Sequence, residues 1–117
     1  MARDDYHVIV YQILAYLYQR LKKSEPVAPK MLANDSPLLK GQIGTAYWAY
    51  IIYMLQSNGL ITGVAFVNMD GLNVPYAANL DKCMITPMGI EYLCDNSFME
   101  KAKRFVKETK DIITPFV

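Results

Sequence analysis

Leu55-Gln56-Ser57-Asn58-Gly59-Leu60-Ile61 and Met84-Ile85-Thr86-Pro87-Met88-Gly89-Ile90-Glu91-Tyr92-Leu93 decide how this chain folds. In the first, an apolar anchor is followed by Asn58-Gly59, a left-handed helix terminator, and then at once by apolar residues suited to a strand. In the second, a strand runs into Thr86-Pro87, where Thr86 can cap a helix and Pro87 fits its first position. The residues between the two segments have the composition of a hairpin. Leu60–Val67 is rich in β-branched and aromatic residues. Asn68-Met69-Asp70-Gly71 offers the positive-φ residues of a tight turn, 72–78 returns, and 82–86 forms a further strand.

Working outward, the N-terminal side reads as three helices. Ile9, Ile13, Leu17 and Leu21, widened by Val10 and Leu14, fall at helical spacing over about Asp4 to Lys22. Asp4 and Asp5 at its start, and Arg20, Lys22 and Lys23 at its end, complement the helix dipole. Tyr11 and Tyr18 sit on another face, where they shield the edge of a core. Pro26 ends this helix. A short helix is expected over Ala28–Ala33, then a turn at Asn34-Asp35-Ser36-Pro37. A third helix runs from Leu38 or Gln42 to Ser57, with Trp48, Ile51, Ile52 and Leu55 facing the core. On the C-terminal side, the Thr86-capped helix extends to about Asp95. Ser97-Phe98-Met99-Glu100 has the form of a capping box opening a last helix that ends near Ile113.

Three helices, a β-hairpin wing and two further helices, in that order, resemble a winged helix-turn-helix domain, an α+β fold. The tail narrows the match. Tyr92-Leu93-Cys94-Asp95-Asn96-Ser97-Phe98-Met99-Glu100-Lys101-Ala102-Lys103, followed by Val106-Lys107-Glu108-Thr109-Lys110-Asp111-Ile112, resembles the YjcQ-like family. These are small winged-helix proteins of Gram-positive bacteria and their phages. The resemblance covers most of the chain and is strongest from Leu55 onward. It implies the winged-helix architecture and a phage or prophage setting, and it supplies no catalytic residue.

The third helix departs from what a DNA-reading helix needs. From Gly41 to Met69 there is no charged side chain. Base edges are read by Arg, Lys, Asn and Gln, and only Gln42 and Thr45, near the helix start, can take such a role. Lys40 and the helix N-terminus could hold a phosphate, which positions a protein without specifying sequence. The outward row is expected to hold Ala49, Tyr50, Tyr53 and Met54, the composition of a protein interface core. An alternative is that this helix is simply buried on more than one side. The last helix carries the one cation cluster. Lys103, Lys107 and Lys110 share one face and Lys101 and Arg104 a neighbouring one, opposite an apolar stripe of Phe98, Ala102, Phe105, Val106, Thr109, Ile112 and Ile113. These cations form either a solvated face or a phosphate-contacting stripe.

Composition bounds the rest. A chain of 117 residues fits one domain, and a hydrophobic content of 53% argues against disorder. The net charge of +1 gives no global pull toward nucleic acid or membrane. The N-terminus lacks a signal-peptide pattern, and the uncharged stretch is broken at Gln56-Ser57-Asn58-Gly59, too early for a membrane span. Cys83 and Cys94 read as two buried thiols of a cytoplasmic protein, and His7 alone cannot complete a zinc site. No Ser, Cys or acid stands at motif spacing around His7, and Gly41 and Gly44 begin no phosphate-binding loop.

The expectation is therefore a single winged-helix domain over residues 1–117, with 97–113 as an added C-terminal helix. It should be non-enzymatic and DNA-associated or regulatory, contacting double-stranded DNA through Lys40, Gln42, Thr45, Lys103, Arg104, Lys107 and Lys110. The alternative is a protein-interaction or dimerisation module, pairing with a second copy or with a phage or host protein. No cofactor, metal, membrane partner or small-molecule substrate is expected.

Overall fold

The first helix, α1 (Asp5–Lys22), is buried on every side along its middle: each residue from Val8 to Leu17 is buried. The computed structural model describes residues 5–34, 36, 43–67 and 76–109. The predicted stripe of Ile9, Val10, Ile13, Leu14 and Leu17 lies in the core, and Tyr11, Gln12, Ala15 and Tyr16 join it. A helix apolar nearly all round is a core helix. Leu21 is a correction: it belongs to the predicted stripe but is 47% exposed, in a final turn where residues 21–26 all face solvent. Ser24, at φ 56°, closes the helix in the left-handed region, with the Glu25 amide donating back to the Arg20 carbonyl at 3.0 Å. The Tyr16 hydroxyl accepts from the Ala28 amide at 3.0 Å and fastens the following link to the core.

The expected second helix is a single 3-10 turn, Pro29–Leu32, with Leu32 buried. So short a segment between Pro26 and Asn34 does not nucleate an α-helix. Asn34 closes the next loop twice. Its carbonyl accepts from the Ile43 amide, and its side-chain amide donates to the Ile43 carbonyl at 2.9 Å. The third predicted helix is α2, Thr45–Ser57, and begins later than expected because Gly44 has an extended ψ of 141°. Residues 37–42 lie outside the described residues. Its end follows the sequence reading. Gly59 has φ 78°, the Gly59 amide donates to Gln56 O, and the Leu60 amide donates to Leu55 O at 2.9 Å.

The strand expected over Leu60–Val67 is broken in two, β1 (Ile61–Thr62) and β2 (Ala65–Val67). Gly63, at φ 95°, makes the kink, and the Gln56 side chain replaces the missing ladder. Its amide donates to the Val64 carbonyl at 2.8 Å, and its oxygen accepts from the Val64 amide at 3.0 Å. The halves then pair separately and antiparallel. β2 pairs with β3 (Tyr76–Ala78), Phe66 opposite Ala77, and β1 pairs with β4 (Met84–Ile85), Ile61 opposite Ile85. The expected turn 68–71 and the start of the return segment lie outside the described residues. The first residues of the predicted 82–86 strand are a correction, since Leu80–Lys82 is a 3-10 turn.

Thr86 caps α3 (Pro87–Asp95) as its sequence predicts, accepting from the Gly89 amide at 3.0 Å and donating to the Gly59 carbonyl. That second bond ties the end of α2 to the start of α3. Gly89 seals the same junction, because a Cβ there would stand 2.1 Å from Leu60 O. The cap of α4 (Ser97–Thr109) is another correction. Asn96, not Ser97, supplies it, its Oδ1 accepting from Phe98 N at 2.8 Å and Met99 N at 3.3 Å. The buried side of α4 is Met99, Ala102 and Val106, whereas the predicted stripe members Phe98 and Phe105 are exposed. Residues 110–113 lie outside the described residues. The helices α1, α3 and α4 pack on one another, β4 packs on α1, and α2 covers β1 and β3, giving an α+β fold.

Both cysteines are free, and they differ in setting: Cys83 is buried and Cys94 exposed, which corrects the expectation of two buried thiols. Cys94 lies near the end of α3, outside its packed face. Burial pushes the Cys83 thiol from 9.0 up to about 12. Above pH 9 the unfolded chain loses this proton while the folded chain keeps it, so Cys83 makes stability fall as pH rises from 9 toward 12. A maleimide should accordingly modify one thiol, Cys94, in the native protein at pH 7, and Cys83 only after denaturation. Mass spectrometry of the labelled peptides reads this directly, and equal native labelling of both would contradict it.

Candidate functional site: a cationic cleft beside a tyrosine face

Four lysines from two helices meet around one cleft. The last turn of α1 brings Lys22 and, one residue on, Lys23, and one face of α4 brings Lys103 and Lys107 at the helical i, i+4 spacing. The cleft has a volume of about 560 Å³. Its apolar lining comes from buried Tyr11, Ala15, Met99 and Val106, with Leu93 beside them. The Lys22 ammonium stands 4.4 Å from the centre of the Tyr18 ring, a cation–π contact that turns it along the α1 surface. Among the described residues, Glu100 is the only acidic side chain in the lining. Four lysines and one glutamate among the described lining residues give the cleft a local excess of positive charge in a chain of net charge +1.

The sequence-predicted contacts divide over this geometry. Lys103 and Lys107 line the cleft. Arg104 and Lys101 are exposed on α4 outside it, with Lys101 over the Phe98 ring at 5.9 Å. Thr45 is exposed at the first residue of α2. Lys40, Gln42 and Lys110 lie outside the described residues. Lys22 and Lys23 were not singled out as contacts from the sequence, where their position at a helix end accounts for them as dipole partners. Only the packing of α1 against α4 brings them to the other two lysines.

The second feature is the outward face of α2. Trp48, Ile51, Ile52 and Leu55 point into the core as predicted, and Tyr47, Tyr50 and Tyr53 are exposed, Tyr50 by 43%. Ala49, proposed as an interface residue, is fully buried, so it is withdrawn from that face: the packed side of α2 is wide enough to include it beside Ile52. Met54 is only half-buried. Tyr53 meets Phe66 of β2 edge-on at 5.3 Å and so braces the hairpin. Tyr50 and Tyr47 lie in a group with Tyr6 of α1 and Tyr92 of α3. The Tyr6 phenol is pushed above its ordinary value of 10.0 by burial first, and then by Tyr92, Tyr50 and Tyr47. Next to Tyr6, His7 stacks on Phe98 with ring centres 4.5 Å apart. Tyr6 and Tyr92 enlarge this aromatic face through tertiary packing, which no local pattern announces.

Among the described residues, no helix is long and apolar enough to cross a membrane, and no group of three His, Cys, Asp or Glu could hold a metal ion. Fold and site together define a small α+β protein with a two-helix cationic cleft beside an uncharged, tyrosine-rich helix face. The chain belongs to the YjcQ family, whose model, described as YjcQ protein, matches residues 11–112. No curated protein and no solved structure gives a match.

Proposed function

We propose that this chain is a non-enzymatic winged-helix protein that associates with double-stranded DNA through its phosphate backbone rather than by reading bases. In this reading residues 1–117 form one domain, β1–β4 supply the wing, and α4 is an addition to it. The observation that carries the proposal is the convergence of Lys22, Lys23, Lys103 and Lys107, set against an α2 that has no charged residue. Phosphate contacts position a protein on a duplex and give affinity without sequence preference. An α2 with tyrosines where Arg, Lys, Asn or Gln would meet base edges supports the same division of roles. A regulatory role in a phage or prophage setting accords with this form of binding.

Fluorescence anisotropy with a mixed-sequence duplex tests it. With about four phosphates neutralised, affinity should fall by roughly a hundredfold between 50 and 200 mM salt. K103E with K107E should weaken binding on every sequence alike. Absence of binding at 50 mM salt, or a salt-independent affinity, would contradict the reading.

A second reading rests on its own observation, the exposed row of Tyr47, Tyr50 and Tyr53. Tyrosine-rich, charge-depleted surface is typical of interface cores, and here it would serve association with a second copy or another protein. Light scattering should then show Tyr50→Glu lowering the associated mass with an unchanged melting temperature. A wild-type chain that stays monomeric at millimolar concentration would eliminate the self-association form.

A further inference from the structure

The edge of α4 that faces away from the cleft carries exposed rings and cations that a duplex held in the cleft leaves unused. Phe98, Lys101 and Phe105 recur at i, i+3 and i+7 and so share one face of the helix, with Arg104 beside Lys101. All four are exposed, Phe98 by 49% and Phe105 by 41%, and none of them lines the cleft. Phe98 is also held in place. His7 of α1 lies parallel to its ring, with centres 4.5 Å apart and 5° between the planes, and Tyr6 meets His7 edge-on at 5.3 Å. The Lys101 ammonium stands 5.9 Å from the centre of the Phe98 ring. An aromatic ring that is backed by a stacked partner, open to solvent and flanked by cations is a platform for one more planar ring.

We propose that this edge of α4 binds single-stranded nucleic acid. One base stacks on Phe98 and extends the His7–Phe98 pair. Phe105 takes a second base about 10 Å further along the helix, and Lys101 and Arg104 contact the phosphates between them. Every base has a π face, so binding of this kind carries little sequence preference. A duplex cannot use the rings, because stacking on aromatic side chains needs bases that are splayed out of a helix. Two other partners match the surface less well. The core of a protein interface is depleted of charge, whereas two of these four side chains are cations. A helix lying on a membrane sinks a broad apolar face into it, and the apolar side of α4, with Met99, Ala102 and Val106, is already spent on the core. The surface is distinct from the cleft, and single-strand binding on it does not depend on the duplex reading.

Fluorescence anisotropy of the full chain with an oligothymidylate of about twelve nucleotides tests the proposal, beside a base-free sugar-phosphate strand of the same length. At about 100 mM salt the oligothymidylate is expected to bind with a dissociation constant below about 0.1 mM. It should bind at least about tenfold more tightly than the base-free strand, which can answer only to cations. F98L keeps an apolar side chain but removes the ring, and it should weaken oligothymidylate binding at least about fivefold. F98W should retain binding, and the emission of its new indole should be quenched by the bound strand, against a Trp48 that is only 4% exposed. K101A with R104A alters exposed side chains alone and should flatten the slope of log affinity against log salt by about 1.4. Equal affinity for the base-free strand, F98L binding like the wild type, an unquenched F98W or no binding of oligothymidylate would each overturn the proposal. So would binding to anionic lipid vesicles that F98L abolishes, which would assign this edge to a membrane. None of these results bears on the duplex reading, whose own failure is read from K103E with K107E.

Discussion

Burial of α1 on all sides from Val8 to Leu17 is the constraint that the rest of the structure obeys. Each large apolar side chain removed from water contributes about 1.5–3 kcal/mol, so a helix of this kind has to be covered all round. α3, α4 and β4 do this. Charge is thereby excluded from the middle of α1 and returns where the helix leaves the core, at Arg20, Lys22 and Lys23. The salt bridge from Arg20 to Glu25, at 2.8 Å, is partly exposed and of small worth, below about 1 kcal/mol. Lys22 and Lys23 line the cleft that α1 forms with α4 instead. The cationic cleft is thus a consequence of where a buried helix surfaces beside α4.

The same packing logic governs α2. Its inner side, with Trp48, Ala49, Ile51, Ile52 and Leu55, is fully committed to the core, and the remaining surface is a narrow tyrosine row. Tyr53 is committed in part to holding the hairpin through Phe66. The uncharged stretch that drew attention in the sequence therefore has two physical origins, a wide core-facing side and an aromatic outer row. Neither gives α2 the charges that base reading uses, and the proposed association with nucleic acid is therefore assigned to the lysines of α1 and α4.

The parts of this fold legible in the sequence are those written in local chemistry. Gly59 as a helix stop, Thr86-Pro87 as a helix start and the core row of α2 are each set by one or two residues with strong conformational or burial preferences. What the sequence concealed depends on partners distant in the chain. Within Leu60–Val67 only Gly63 marks the division, and the group that stabilises it, the Gln56 amide, lies outside that segment. The capping role passed from Ser97 to Asn96, since either side chain is chemically suited and only the chain path selects one. Half the cleft was visible as an α4 cluster of Lys103 and Lys107. Lys22 and Lys23 looked like ordinary helix-end cations until α1 and α4 were packed together.

The central claim is that anion contact belongs to the α1–α4 cleft and not to α2. Two-dimensional NMR of the labelled chain, titrated with a short mixed-sequence duplex, tests it most directly. The account predicts the largest shifts at Lys22, Lys23, Lys103 and Lys107, with Tyr47, Tyr50 and Tyr53 nearly unmoved. Shifts centred on those tyrosines and on Thr45, with the four lysines silent, would contradict it.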